Sequence, residues 1–148
     1  MNTAQDPQKH PKGLYVLFAT EMWERFNYYG MRAILVYFMT QALMFSKPFA
    51  SNLYGGYTSL IYLTPLIGGY IADRYWGNRK SIMFGGLVMA VAELVLFFCS
   101  HFYKSAPDLS TFLFYLGLGL MIAGNGFFKP NISTMVGQLY KTGDKRTD

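Results

Sequence analysis

The sequence predicts an all-α integral membrane protein with four transmembrane helices. Its 148 residues are 52% hydrophobic and only 14% charged, against roughly 25% charged residues in an average soluble domain. The 18% aromatic content excludes a disordered chain, and the single cysteine excludes a disulfide framework. The apolar residues lie in four blocks, each longer than the roughly 20 residues with which a helix crosses a bilayer. The predicted spans are about 13–45, 52–75, 81–103 and 111–140.

Positive charges set the predicted orientation of these spans. The net charge of +5 could suggest a nucleic-acid partner, but the 13 Lys and Arg residues are not clustered on one surface, so no nucleic-acid partner is predicted. Only Lys47 and Lys104 lie in the first and third connections, whereas the ends and the second connection carry most of the others. The positive-inside rule then places both ends in the cytoplasm. We predict a multi-pass cell-membrane protein with a cytoplasmic tail at 1–12 and a cytoplasmic segment at 141–148.

The first span carries charges that cannot face lipid. Insertion scales put the cost of one charge near the centre of a helix at about 2.5–3.5 kcal/mol. At about 100° per residue the charged residues share one face with two tyrosines, and Glu21 lies one turn before Arg25. Ionisable groups inside a membrane indicate an ion or substrate pathway; the alternative is an ion-pair ladder that only locks helices together. The face consists of Glu21, Glu24, Arg25, Tyr28, Tyr29 and Arg32.

The second span contains a tyrosine at depth and a helix-bending proline. Tyr62 lies well within the predicted span, where a hydroxyl usually bonds another helix or a cavity ligand. Tyr54 and Tyr57 lie nearer its end, a position typical of an interfacial aromatic belt. Pro65 predicts a kink or an opened backbone hydrogen bond.

The short connection at 68–80 forces an antiparallel helix hairpin. Gly68 and Gly69 allow close backbone approach, and Gly77 permits a turn with positive φ. Asp73 can accept hydrogen bonds from a helix N-terminus, while Arg74 or a neighbouring cation pairs with it or with lipid phosphate. The alternative is an ordinary solvated basic loop.

The third and fourth spans each carry one ionisable residue at depth. Glu93 could be a second proton-binding carboxylate, but we favour an interhelical hydrogen-bonding role because no other ionisable residue lies one turn away. Lys129 lies beside Pro130, which bends the helix, and near Asn125 and Asn131. A buried lysine beside a bend suggests an anion-binding or proton-sensitive cavity. The pattern of Cys and His residues predicts no metal site.

Three motifs together resemble the proton-coupled oligopeptide transporters of the major facilitator superfamily. Residues 21–30 match that family's E-x-x-E-R-F-x-Y-Y-G signature at every specified position. Residues 68–77 match its G-G-x-x-A-D hairpin pattern, with one residue more between Asp73 and Gly77 than in the general facilitator pattern, and Lys129 and Pro130 match its fourth-span motif. The three motifs occur in order and in the right spans.

The resemblance implies a function and roles for individual residues. It implies proton-coupled symport of di- and tripeptides, with protons as the coupling ion and no other cofactor. Glu21, Glu24 and Arg25 would take part in proton coupling, and Arg25 and Lys129 would favour the peptide carboxylate. Tyr29 and Tyr62 would line the same cavity.

The resemblance also implies that the chain is one part of a larger fold. Transporters of this family have twelve or more spans in two halves, so four spans suggest an N-terminal portion that is inactive alone. Its partners would be peptides, membrane lipid and the remaining helices of the same transporter.

Two other functions stay open at this stage. One is a related facilitator that carries nitrate or another anion, and the other is a non-transport membrane subunit whose charges only hold helices together. An enzyme is not predicted, because the sequence contains no nucleophile–base pair, metal cluster or phosphate loop.

Overall fold

The computed structural model describes residues 10–140 as a bundle of four α-helices. A five-residue π-helical turn, Ala72–Trp76, follows the second helix. The predicted all-helical fold with four long helices is therefore confirmed, while residues 1–9 and 141–148 of the two predicted tails lie outside the described part of the chain. The helices are α1 (Lys12–Gln41), α2 (Lys47–Ile71), α3 (Asn78–Phe102) and α4 (Pro107–Gln138).

The helices after the first and third connections begin earlier than the apolar blocks suggested. The helix α2 begins at Lys47 rather than near 52, because the side chain of Ser46 accepts a hydrogen bond from the backbone N–H of Phe49 at 3.4 Å. A proline in the first turn favours the early start of both α2 and α4. The connections shorten to 42–46 and 103–106, because a cap at Ser46 and the first-turn prolines, rather than hydropathy, favour these helix starts.

The hairpin between α2 and α3 turns at a glycine, as expected. Gly77 has a φ of 76°, and its N–H donates to the carbonyl of Ala72 at 2.8 Å, which closes the π turn. A π turn accommodates one extra residue within a helix, which agrees with the longer spacing of this motif. The pairing expected for Asp73 is not seen: its exposed side chain forms no hydrogen bond or ion pair within residues 10–140, because the π turn holds it before α3 begins. The guanidinium of Arg74 instead lies 6.0 Å from the ring centre of Tyr75.

The helix α4 lies at the centre of the bundle, with α2 and α3 packed along it. The helices meet at glycines, where small size allows close backbone approach. A Cβ atom at Gly85 would lie 2.6 Å from the carbonyl oxygen of Gly124, and one at Gly68 would overlap the carbonyl of Gly126. Residues 124–126 of α4 are therefore fixed between two neighbouring helices.

The helix α1 packs more loosely than the others, and cavities separate part of it from α3. Its buried residues are Tyr28, Leu35 and Met39. A cavity of about 730 Å³ lies between α1, α3 and α4, and a second cavity of about 400 Å³ shares part of its lining. The core is formed by Tyr28, Leu35, Met39, Ala50, Tyr57, Ile61, Ala92, Cys99, Phe114, Leu118 and Met121.

Within the described residues, two helices are long and apolar enough to cross a membrane by themselves. They are α3 and α4, with mean hydropathies of 2.4 and 1.5 over their most apolar segments. The helix α1 is 30 residues long, about 45 Å at 1.5 Å per residue, but its charged face lowers its hydropathy. The Gly, Ser, Thr and Tyr residues of α2 lower its hydropathy. Large apolar side chains such as Phe26 and Leu66 are nevertheless exposed on both helices.

Candidate functional site

The charged residues of α1 form an ion pair along the helix. The guanidinium of Arg25 donates to Oε1 of Glu21 from Nη2 at 2.6 Å and from Nε at 3.0 Å. It is the one ion pair recorded within residues 10–140, and the Arg25 side chain is 55% exposed. The one-turn pairing expected from the sequence is therefore present, on a side of α1 that the described helices leave open.

Glu24 is joined to α4 rather than to its own helix. Its Oε1 accepts a hydrogen bond from Nδ2 of Asn125 at 2.8 Å. Lys129 lies one helical turn beyond Asn125, so the same face of α4 presents both the amide and the cation. The cations of Lys129 and Arg25 both lie within electrostatic range of the Glu24 carboxylate.

Lys129 lies between two aromatic rings. Its Nζ is 5.3 Å from the ring centre of Tyr62 and 5.7 Å from that of Tyr28, distances at which a cation is attracted to a ring face. Its side chain is partly buried. The structure therefore brings Lys129 and Tyr62 together, although neither side chain lines the two cavities described above.

A second cation approaches Tyr28 from its own helix. The guanidinium of Arg32 lies 5.4 Å from the ring centre of Tyr28, and its Nε donates to the hydroxyl of Tyr54 at 2.8 Å. Tyr54 is therefore a hydrogen-bond partner of Arg32. Tyr57 is buried with its hydroxyl 3.9 Å from the sulfur of Met31, so it is a core residue rather than a residue of an interfacial belt. The sequence reasoning missed these roles, although Arg32 in an apolar span with no carboxylate one turn away was a signal that a further partner existed.

Two tyrosines of the predicted site lie on the side of the bundle that the described helices leave open. Tyr29 and Tyr62 are 55% and 59% exposed. No hydrogen bond or ring contact joins Arg25 to Lys129 among the described residues; the Glu24 carboxylate is instead within range of both cations. Gly69 of the hairpin motif lies against α4 instead. A Cβ atom at Gly69 would lie 3.5 Å from the Cβ atom of Pro130.

Glu93 bonds a residue of the first motif across the bundle. Its Oε1 accepts a hydrogen bond from Nδ2 of Asn27 at 2.9 Å. This contact is of the interhelical kind that the sequence favoured, and its partner occupies a position that the motif leaves unspecified. The 730 Å³ cavity is lined by both carboxylates and by their asparagine partners, that is by Glu24, Glu93, Asn27 and Asn125. No group of three potential metal-binding side chains occurs within the described residues.

Comparisons with known proteins agree on one family. The sequence profile of the Major Facilitator Superfamily matches residues 17–147. A transporter of unknown function, YclF of Bacillus subtilis (strain 168), is 40% identical over 96% of this chain and 29% of its own length. A di-/tripeptide transporter of Lactococcus lactis subsp. lactis (strain IL1403) is 39% identical over 93% of this chain and 27% of its own length.

Solved structures give the same result. The crystal structure of a mutant of the peptide transporter POT superimposes with a TM-score of 0.82 at 39% identity, over 93% of this chain and 27% of that one. The complex of such a mutant with alafosfalin superimposes with a TM-score of 0.82 at 38% identity, over 95% of this chain and 29% of that one. The chain therefore spans between a quarter and a third of the length of the relatives it matches.

Proposed function

This chain belongs to the Major Facilitator Superfamily, and we propose that it supplies the first four helices of a transporter that carries di- and tripeptides with protons across the cell membrane. The resemblance to the peptide-transporting branch is confirmed, because relatives named as peptide transporters align with nearly the whole chain. The chain is thus part of a multi-pass membrane transporter. Peptides are the proposed substrate, and lipid and the remaining helices are the proposed neighbours.

The observation that carries this proposal is the placement of Glu24 and Lys129. A protonatable carboxylate is bonded to α4 through Asn125, one turn from a partly buried lysine. Among residues 10–140, Lys129 has no carboxylate within ion-pair distance; the ion pair recorded there joins Glu21 and Arg25. Lys129 therefore offers a positive charge to an anionic group that enters from the open side.

The proposed mechanism links proton binding to peptide binding through charge. While Glu24 is ionised, its carboxylate attracts the cations of Lys129 and Arg25. When Glu24 takes up a proton, that attraction ends, so Glu24 no longer competes with the C-terminal carboxylate of a peptide for the positive charge of Lys129. A charge-assisted hydrogen bond from an ammonium group to a carboxylate is stronger than one between neutral groups. Protonation thereby favours substrate binding.

Substrate competition distinguishes a peptide carrier from the alternatives. The full-length transporter that contains this chain should take up labelled dialanine into liposomes, and unlabelled dipeptides should block that uptake while nitrate should not. Equal competition by nitrate would indicate an anion carrier, which Lys129 and Arg32 would also suit. Absence of dialanine uptake would favour a non-transport subunit.

The charge distribution adds a prediction of topology. Single cysteines that replace Lys47 or Lys104 should react with a membrane-impermeant maleimide added to intact cells, in a protein whose native Cys99 has been changed to Ala. The matched control, Arg79→Cys at the exposed start of α3, should react only after the membrane is opened, because the positive-inside rule places this end of α3 in the cytoplasm. Labelling of position 79 but not of 47 in intact cells would reverse the orientation.

A further inference from the structure

Only one of the two polar groups of the Asn125 amide forms a hydrogen bond within the described residues. Its Nδ2 donates to Oε1 of Glu24 at 2.8 Å, while its Oδ1 is buried and has no hydrogen-bond partner within residues 10–140. The side chain is only 2% exposed. A buried acceptor without a partner costs free energy comparable to a lost hydrogen bond, so this oxygen is a candidate for a partner that another state of the site provides.

The backbone on either side of Asn125 is held firmly. An ideal Cβ at Gly124 would lie 2.9 Å from the carbonyl oxygen of Gly85 on α3, and one at Gly126 would lie 2.8 Å from the Cβ of Thr64 on α2. With the backbone fixed from both sides, the freedom left to the asparagine is rotation of its side chain. A half-turn of the amide exchanges its donor and its acceptor at Glu24.

The other charged groups around Glu24 cannot perform this exchange. Arg25 on α1 and Lys129 on α4 carry donors only, so they can bond the carboxylate but cannot accept a hydrogen bond from the acid. Glu21 on α1 already accepts from Arg25, and Glu93 on α3 already accepts from Asn27. The tyrosines of this region, Tyr28 on α1 and Tyr62 on α2, lie against the Lys129 ammonium group, and neither forms a hydrogen bond with Glu24 within the described residues.

We propose that Asn125 is a positioning residue that holds Glu24 in both of its protonation states. Nδ2 donates to the carboxylate, as seen in the structure; once a proton from the medium has bound to the carboxylate, the amide turns and Oδ1 accepts the hydrogen bond of the acid. A carboxylate is an acceptor only, whereas a protonated carboxyl group is also a donor, and an amide complements both. The inference rests on the proposed function for its role in coupling.

Infrared difference spectroscopy tests this proposal without requiring transport. In the full-length protein, the bands of Glu24 are those that Glu24→Gln removes, one for the carboxylate at high pH and one for the acid C=O stretch at low pH. Asn125→Leu should move both bands, and the acid band should move to higher wavenumber because the acid loses its hydrogen-bond acceptor. The control Asn131→Leu removes another buried asparagine of α4, whose Nδ2 donates to the carbonyl of Phe127, and should move neither band.

Transport supplies a second readout. Asn125→Leu should reduce gradient-driven dialanine accumulation by about tenfold, a loss that corresponds to one hydrogen bond with a charged group, and should reduce counterflow by much less. If the leucine variant does not fold, Asn125→Ala replaces it in both measurements. Unchanged Glu24 bands in these variants, or movement of the carboxylate band alone, would overturn the proposal. Failure of the wild-type protein to transport dialanine would refute the proposed function but leave the infrared result to stand by itself.

Discussion

Replacement of Lys129 by alanine should lower proton-driven dialanine uptake by at least about tenfold in the full-length transporter. Removal of one partner of a desolvated charge pair costs about 2–5 kcal/mol, and about 1.4 kcal/mol corresponds to a factor of ten. Lys129 is only partly buried, so the lower end of this range applies. The substrate carboxylate would lose its cation, and Glu24 would lose the ammonium group that stabilises its charge.

Initial rates of uptake into liposomes with an imposed pH gradient measure this effect. Lys104→Ala is the matched control, because this exposed lysine near the end of α3 contacts the ring of Tyr103 and is remote from the cavity in sequence and fold. It should retain the wild-type rate. Unchanged uptake by Lys129→Ala across a range of pH would reject the role assigned to Lys129.

The fold was largely predictable from the distribution of apolar residues. Four blocks of sufficient length predicted four helices, and the glycine at 77 predicted the turn that the backbone makes there. Helix starts were predicted less well, because Ser46 caps α2 and Pro48 favours its first turn, and both residues precede the second apolar block. Among the described helices, α1 is not one of the two that hydropathy alone identifies as long and apolar enough to cross a membrane, because its charges occupy one face of the helix.

Within the site, only the contacts between residues of the same helix could be predicted from the sequence. Periodicity placed Glu21 beside Arg25 correctly, since residues four apart meet on a helix surface. The partners of Glu24 and Glu93 are asparagines 101 and 66 residues away in the sequence. Such contacts depend on how α1 lies against α3 and α4, and no pattern within a single span determines that arrangement.

The same limit explains the interpretation of Tyr54. Its position near the end of α2 is typical of an interfacial belt, yet its hydroxyl accepts a hydrogen bond from Arg32 of α1. Depth along a helix can be estimated from sequence, whereas the direction in which a side chain points depends on the neighbouring helix. An arginine without a carboxylate one turn away is the sequence feature that indicates such a contact.

Replacement of Glu24 by glutamine should separate peptide binding from proton coupling. Glutamine has the shape of protonated glutamate, and its side-chain oxygen can still accept the hydrogen bond from Asn125, so the contact between α1 and α4 is retained. Arg25 and Lys129 still offer positive charge to the substrate. Exchange of peptide down its gradient should therefore persist, while accumulation driven by a pH gradient should fall by at least about tenfold.

A matched control distinguishes coupling from a general effect of losing a carboxylate in the cavity. Glu93→Gln makes the same chemical change on α3, and the new side chain can still accept the hydrogen bond from Asn27. This variant should keep both activities. If Glu24 served only in an ion-pair ladder, Glu24→Gln would instead fold or insert poorly and lose both activities together.

The most direct measurement is therefore a pair of assays on one purified, folded preparation of the full-length Glu24→Gln protein in liposomes. Counterflow of labelled dialanine reports binding and exchange, and accumulation under an imposed pH gradient reports coupling. The proposed mechanism predicts counterflow close to that of the wild-type protein and accumulation close to that of protein-free liposomes. Normal pH-driven accumulation by this variant would contradict the assignment of Glu24 as the residue that couples protons to peptide transport.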